Sequence, residues 1–324
     1  MSGAEPSAHA TRRRVVRGAR WIFLVAVLVG AGLAFRGHGE EVLAAIRSTS
    51  VGSVLAASVL VLLGLIVTSV AWLELLRGFG HPLPGGVGRS VFFVGQLGKY
   101  VPGGLWSIGA HAHLARDHGV PLRVTASTSL TFLGLNLATA GVVVGGVAAT
   151  GVEVGPLSRL AGLALAVGSL VLLVPLVVNR LAGLVAGVVL PLRWRDLASL
   201  VVLMAITWTS YAGAVVVLSP EPSWSGLPRA AAAFALAYAI GVAVVIAPAG
   251  VGAREVTLVA LLSPMIGVGP AGAVAILTRV LHTGADLLLA LVAWAVAPSS
   301  ATAVGQRLAA RASPSVHERV AGDP

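Results

Sequence analysis

Residues 51–73 contain no charged side chain. At ~1.5 Å per residue such a run crosses ~30 Å of hydrocarbon with some tilt. Inside lipid there is no water to satisfy open backbone groups, so a spanning segment of this kind must be helical or belong to a closed barrel. Its unbroken apolar character, without period-two alternation, selects the helix. Comparable runs follow at residues 124–150, 160–178, 197–218, 230–247 and 269–297, and residues 21–35 form a shorter one bounded by Arg20 and Arg36. With 57% hydrophobic and only 10% charged residues, the whole chain fits the bilayer rather than water. The expectation is an all-α polytopic membrane protein of about seven or eight transmembrane helices.

Charge gives the orientation. Arg12, Arg13, Arg14, Arg17 and Arg20 precede the first apolar run, and further arginines follow at 77, 89, 116, 123, 180, 193 and 195. Placing these inside satisfies the positive-inside bias, with the loops holding Glu40, Glu41, Glu153 and Glu221 outside. The N-terminus is thereby expected in the cytoplasm and the protein in the cell inner (plasma) membrane. The net charge of +10 follows from this arrangement, so no nucleic-acid partner is implied. The Thr11–Val15 segment resembles a twin-arginine signal, but the downstream chain is membranous, which favours a retained first span. The chain has no cysteine and no His-Glu-x-x-His pattern, so neither a metal nor another cofactor is expected. Residues 181–192 are too short to cross and are expected at the interface.

Two regions, residues 87–116 and 248–269, are apolar but interrupted by Gly, Pro and charge. Their local patterns match. Phe92-Phe-Val-Gly95-Gln-Leu-Gly-Lys-Tyr-Val-Pro102-Gly-Gly104 and Tyr238-Ala-Ile-Gly241-Val-Ala-Val-Val-Ile-Ala-Pro248-Ala-Gly250 repeat an aromatic residue, Gly, Pro and Gly at a constant offset of 146. Three good spans lie between the copies, and an odd number inverts one against the other. Paired broken helices in an inverted repeat point to a transport site near the midplane. Freed backbone groups survive at that depth only when buried in protein or facing a water-filled cavity. Half-helix N-termini would add a positive dipole end suited to a phosphate. A tight re-entrant turn without ligand is the plainer alternative.

The ionisable residues within these apolar regions are the candidate head-group ligands. Lys99 is the only lysine in the chain, a compact cation suited to phosphate. Tyr100 and Trp106 line the same cavity or mark head-group depth. Arg254 suits a bidentate hold on phosphate or carboxylate. Glu255 stands beside it, either at the site or complementing the dipole of a helix start. Arg279, His282 and Asp286 fall on one helical face, where they gate the site, carry protons or form an internal ion pair. Pro102, Gly103, Gly104, Pro248, Gly250 and Gly252 would shape the breaks. Glu74 and Arg77 read as an interfacial pair, and His111 and His113 diverge on a helix.

Gly98-Lys-Tyr-Val-Pro-Gly103 resembles the G-K-Y-[hydrophobic]-P-G segment of the lysylphosphatidylglycerol synthase transmembrane-region family, also called the flippase-like domain family. Pro248-Ala-Gly-Val-Gly-Ala-Arg-Glu255 resembles its P-G-G-x-G-x-R-E signature, with Ala249 in place of the first Gly, and Arg279 and Asp286 fall where the family tends to keep an Arg and an Asp. The resemblance implies a domain over 17–297 between a basic tail (1–16) and a polar tail (298–324). It also implies a lipid translocase for an anionic or modified phospholipid or a lipid-linked envelope precursor, without the soluble aminoacyl-transfer domain of its best-known relatives. A lipid-modifying enzyme or glycosyltransferase is the implied partner. The alternative from another class is a membrane-embedded transferase or an accessory subunit in lipid-linked glycan or glycolipid synthesis.

Overall fold

The computed structural model describes residues 37–101, 106–187, 191–245 and 247–296, with side chains except at 185 and 186. The run at 21–35, both tails, and Pro102, Gly103 and Gly104 lie outside the described residues. Among the described residues there is no strand. The α-helices are α1 (Gly39–Ser48), α2 (Val51–Gly78), α3 (Gly85–Gln96), α4 (Trp106–Arg116), α5 (Leu122–Ala149), α6 (Arg159–Leu172), α7 (Pro175–Ala186), α8 (Trp194–Leu218), α9 (Leu227–Ala243), α10 (Ala253–Ile266) and α11 (Val268–Val296). Short 3-10 turns occupy Leu97–Tyr100, Trp224–Gly226 and Pro248–Gly250. Among the described residues six helical segments are long and apolar enough to cross a membrane, or seven if α6 and α7 form one bent span. This is the multi-pass membrane protein the apolar runs require.

The outer faces carry the solvent-exposed apolar side chains that lipid tails would cover, among them Val51, Leu55, Val59 and Leu63 on α2 and Leu287, Leu291 and Trp294 on α11. Inside, small residues bring backbones together, as expected where hydrocarbon offers no hydrophobic drive for helix association. A Cβ at Gly145 of α5 would lie 2.5 Å from the Ala166 nitrogen of α6. Helix α2 begins after Ser50, whose hydroxyl accepts the Ser53 N–H at 3.0 Å, a normal N-cap.

Two of the shorter apolar runs take an irregular form. Residues 160–178 do not form one straight span: α6 stops at Leu172 and α7 starts at Pro175, with a 69° bend between them. Proline lacks the N–H and crowds the preceding turn, so it starts a helix readily but breaks one internally. Residues 181–192 begin inside the last turns of α7 and run on past its end. α7 ends at Ala186 before Gly187 in the left-handed region (φ 60°). The chain then returns so that Asn179 donates to the Leu192 carbonyl at 3.0 Å and accepts its N–H at 3.2 Å.

The element order repeats: α2, broken hairpin α3–α4 and α5 correspond to α8, broken hairpin α9–α10 and α11, with α6 and α7 inserted between. Helices α2 and α8 pack side by side in opposite directions, since Thr68 meets Thr207 (3.4 Å), Gly64 meets the Tyr211 ring, and Leu60 meets Gly213. Equivalent helices running antiparallel are what an inverted repeat requires. The 3-10 turns of the two hairpins lie against each other, and α11 touches the first of them.

Candidate functional site

Each hairpin closes where a glycine permits it. A Cβ on Gly95 would overlap the His111 ring of α4, and one on Gly98 would fall 2.6 Å from the Ser107 nitrogen. At the repeat-related Gly241, the opposing arm brings Arg254 and the Gly250 backbone against α9, and a Cβ on Gly250 would lie 2.7 Å from the Gly241 Cα. The shared Gly of the two motifs is therefore a close-approach residue in both halves.

The first hairpin is fastened by a buried chain of hydrogen bonds. Trp72 Nε1 donates to the Ser129 hydroxyl at 3.1 Å, which lies 3.1 Å from His111 Nδ1, and His111 Nε2 lies 3.0 Å from the Phe92 carbonyl. The ring also stacks on Phe92 at 5.6 Å. His111 is thus buried in the hairpin crossing, a role its sequence position did not announce, because its partners lie on α2, α3 and α5.

The second hairpin turns through three residues with positive φ: Ala249 (49°), Gly250 (70°) and Gly252 (85°). Ala249 stands where the family pattern has glycine, and an L-residue with a Cβ is disfavoured there. Its carbonyl accepts from Arg279 Nη1 at 2.9 Å, while Arg279 Nε lies 3.5 Å from Glu255 Oε1. The other Glu255 oxygen accepts the Gly252 N–H at 2.6 Å. Glu255 therefore caps α10, which satisfies part of the helix end that would otherwise face a ligand.

Helix α11 ties down both hairpins. Lys99 Nζ lies 2.6 Å from Asp286 Oδ2, and the Tyr100 hydroxyl donates to the same oxygen at 2.7 Å. Arg279, two turns earlier on the same face, holds the second hairpin. Between them His282 donates from Nδ1 to the Thr278 carbonyl at 2.8 Å, packed against Tyr211 and Phe234. Its Nε2 is buried without a partner among the described groups.

Where the hairpins meet, a cavity of about 200 Å³ opens, lined from both halves. It collects Lys99, Tyr100, Gly250, Arg254, Arg279, His282 and Asp286 from the residues singled out in the sequence. It also has Gln96, Ser107, Tyr238 and Thr283 on its wall. Tyr238 is the aromatic residue of the second repeat motif and Gln96 lies within the first, whereas Ser107 and Thr283 carry no motif and only the fold could nominate them. Pro248, Gly252 and Glu255 shape the second break without lining the cavity. Of the two places expected for Trp106, the cavity wall does not include it: it is 56% exposed at the start of α4. Glu74 and Arg77 form the expected surface pair at 3.1 Å.

Arg254 differs from the other cations. Its guanidinium lies over Phe234 at 4.6 Å and Tyr238 at 6.0 Å from the ring centroids. Among the described residues no carboxylate comes within ion-pair distance of it. Aromatic faces attract a cation but do not neutralise it. The cavity region thus holds Lys99, Arg254 and Arg279 against Asp286 and Glu255, leaving one positive charge in surplus.

An antiparallel helical repeat whose broken hairpins meet at a charged cavity defines a polytopic membrane protein of the inverted-repeat type. The chain belongs to the lysylphosphatidylglycerol synthase transmembrane-region family, whose model matches residues 22–290. No curated protein sequence matches it.

Proposed function

We propose that this protein is a lipid translocase of the flippase-like kind, passing a phospholipid or lipid-linked envelope precursor with an anionic head group between leaflets of the plasma membrane. The observation that carries the reading is the surplus cation: Arg254 lines a cavity at the junction of the two hairpins, and among the described residues no carboxylate pairs with it. An uncompensated charge inside a membrane protein is expensive, and an anionic ligand removes that cost. Family membership supports the same reading. The acyl chains stay in lipid while the head group occupies the cavity. A lipid-modifying enzyme or glycosyltransferase supplies the lipid, and the N-terminus lies in the cytoplasm by the arginine distribution. The transferase alternative needs a general base free to take a proton. Asp286 and Glu255 are both engaged by cations, which disfavours it.

The test uses purified protein in phosphatidylcholine vesicles carrying a trace of tail-labelled anionic phospholipid, with an impermeant quencher reporting leaflet exchange. Wild type should accelerate exchange. Arg254→Gln should slow it by about tenfold or more, the scale of one lost charge-assisted contact, while Arg77→Gln, altering only the surface pair, should leave it unchanged. Exchange by Arg254→Gln at the wild-type rate would refute the reading.

A further inference from the structure

Helix α5 has a cavity on each side. It turns Ser129, Phe132 and Leu133 toward the space between the hairpins. Its opposite face, with Ser127, Gly134 and Ala138, lines a separate groove of about 270 Å³, walled on the far side by Leu172, Val178 and Ala182 of α6 and α7. We propose that this groove binds an anionic phospholipid from the leaflet on the arginine side, with one acyl chain in the groove and the phosphate held by Arg123 and Arg180. This is a resident lipid, apart from the cavity between the hairpins, and its binding does not depend on the translocase reading.

The bend between α6 and α7 makes the groove. Helix α6 lies close on α5, where Gly145 meets Ala166 and Gly141 meets Ser169. That pairing is antiparallel, so Leu172 belongs to the end of the groove near the middle of α5 and Ala182 to the end near its start. Beyond Leu172 the 69° bend takes α7 out of line with α6. On the α5 side the residues facing the gap include small ones that leave it open: a Cβ on Gly134 would meet nothing within 4 Å.

Depth and lining select hydrocarbon as the occupant. From Ser127 to Ala138 the groove follows α5 for roughly 16 Å, about half of the ~30 Å hydrocarbon core and so the depth of one leaflet. Its lining is apolar apart from Ser127 and Thr131, and the Ser127 hydroxyl is spent on the Arg123 carbonyl of its own helix. An apolar space of this kind stays dry and takes up apolar ligands, while leaving it empty forfeits dispersion contacts along every wall. Val178 and Ala182 are buried, whereas Leu172 and Leu181 are each 47% exposed at the rim, so the groove opens sideways to the surrounding lipid.

The arginines select the head group. Arg123 stands one turn before Ser127, and Arg180 lies between the groove residues Val178 and Leu181. Both are exposed, and among the described residues neither forms an ion pair. Asn179 ties the Leu192 backbone to α7, which brings Arg193 and Arg195 to the same end. The acid in that turn, Asp196, accepts the Arg193 N–H at 2.9 Å. Trp194, 67% exposed beside them, marks head-group depth. Long arginine side chains reach that level from an apolar wall by snorkelling. A phosphate placed there offsets a local excess of positive charge and accepts charge-assisted hydrogen bonds.

The experiment places the full-length protein in phosphatidylcholine vesicles with a trace of phospholipid carrying a photoreactive diazirine on one acyl chain, and maps the adducts by peptide mass spectrometry. The readout is residues 172–182, which do not line the cavity between the hairpins. A phosphatidylglycerol probe should label them at least about fivefold more than the outward face of α2, and a phosphatidylcholine probe should show no such excess. Gly134→Leu fills the groove from a position with free space and should remove the excess. Arg123→Gln combined with Arg180→Gln, two surface changes, should bring phosphatidylglycerol labelling down to the phosphatidylcholine level. Arg254→Gln should label as wild type does, which separates this result from the transport assay. Equal labelling of the groove and α2 would mean ordinary annular contact and overturn the proposal. An excess that survives Gly134→Leu, or an anionic preference that survives the double variant, would overturn it too. So would a wild-type dimer that Gly134→Leu abolishes in light scattering, because the groove would then belong to a second copy of the chain.

Discussion

Ala249 carries backbone strain in a turn that its neighbours relieve with glycine. Its φ of 49° is held in place by the hydrogen bond from Arg279 to its carbonyl. Ala249→Gly should therefore stabilise the detergent-purified protein by on the order of 0.5–1 kcal/mol, read as a higher melting temperature. Ala249→Val, with a branched Cβ in the same region, should lower it. The Lys99–Asp286 pair makes a different prediction. Asp286 is 3% exposed, so Asp286→Asn leaves a cation facing a lost partner and should destabilise by about 2–3 kcal/mol. The double variant Lys99→Met with Asp286→Asn should cost less than the sum of the single changes, by at least about 1 kcal/mol. Additive melting shifts would show that the pair does not hold the hairpin. As the chain's one lysine, Lys99 was conspicuous in the sequence. Its partnership with Asp286 was not, because the contact spans most of the chain length and depends on how the hairpin docks.

At the level of elements, the hairpins depend on close approach between their arms. Gly95→Ala would push a methyl into the His111 ring, whereas Gly109→Ala, also in this hairpin, meets open space. Thermal unfolding should report a loss of about 1–3 kcal/mol for Gly95→Ala and no measurable loss, or a slight gain, for Gly109→Ala. Equal effects would mean that the crossing is loose. Both broken segments were legible from their Gly and Pro content. The 160–178 run shows its apolar length in the sequence but not the angle at Pro175, because proline kinks are tolerated in membrane helices when neighbours accept the freed groups. Here the bend reaches 69°.

The whole molecule is an inverted repeat with a deliberate asymmetry. The polar face of α11, Arg279, His282 and Asp286, has no counterpart at the same offset in α5, where Leu133, Asn136 and Ala140 stand. One helix therefore anchors both hairpins. Since the chain has no native cysteine, topology can be tested directly. Val51→Cys and Arg195→Cys, at the starts of the equivalent helices α2 and α8, should react with an impermeant thiol reagent from opposite sides of the membrane. Labelling of both from one side would contradict the antiparallel arrangement.

The sequence by itself determined that the chain lives in a membrane, that it is helical, and that two broken segments recur at a fixed interval. These properties follow from local physics: hydrocarbon demands satisfied backbone groups, and Gly and Pro mark where the helical ladder stops. Only the tertiary structure decided which charges neutralise one another. Lys99 is paired with Asp286, Arg279 with Glu255, and Arg254 is left facing the cavity. Such pairing depends on distances between elements remote in the chain, and Coulomb interactions are set by separation and burial rather than by residue type. The sequence named the cations, and the fold alone showed which of them lacks a carboxylate partner among the described residues.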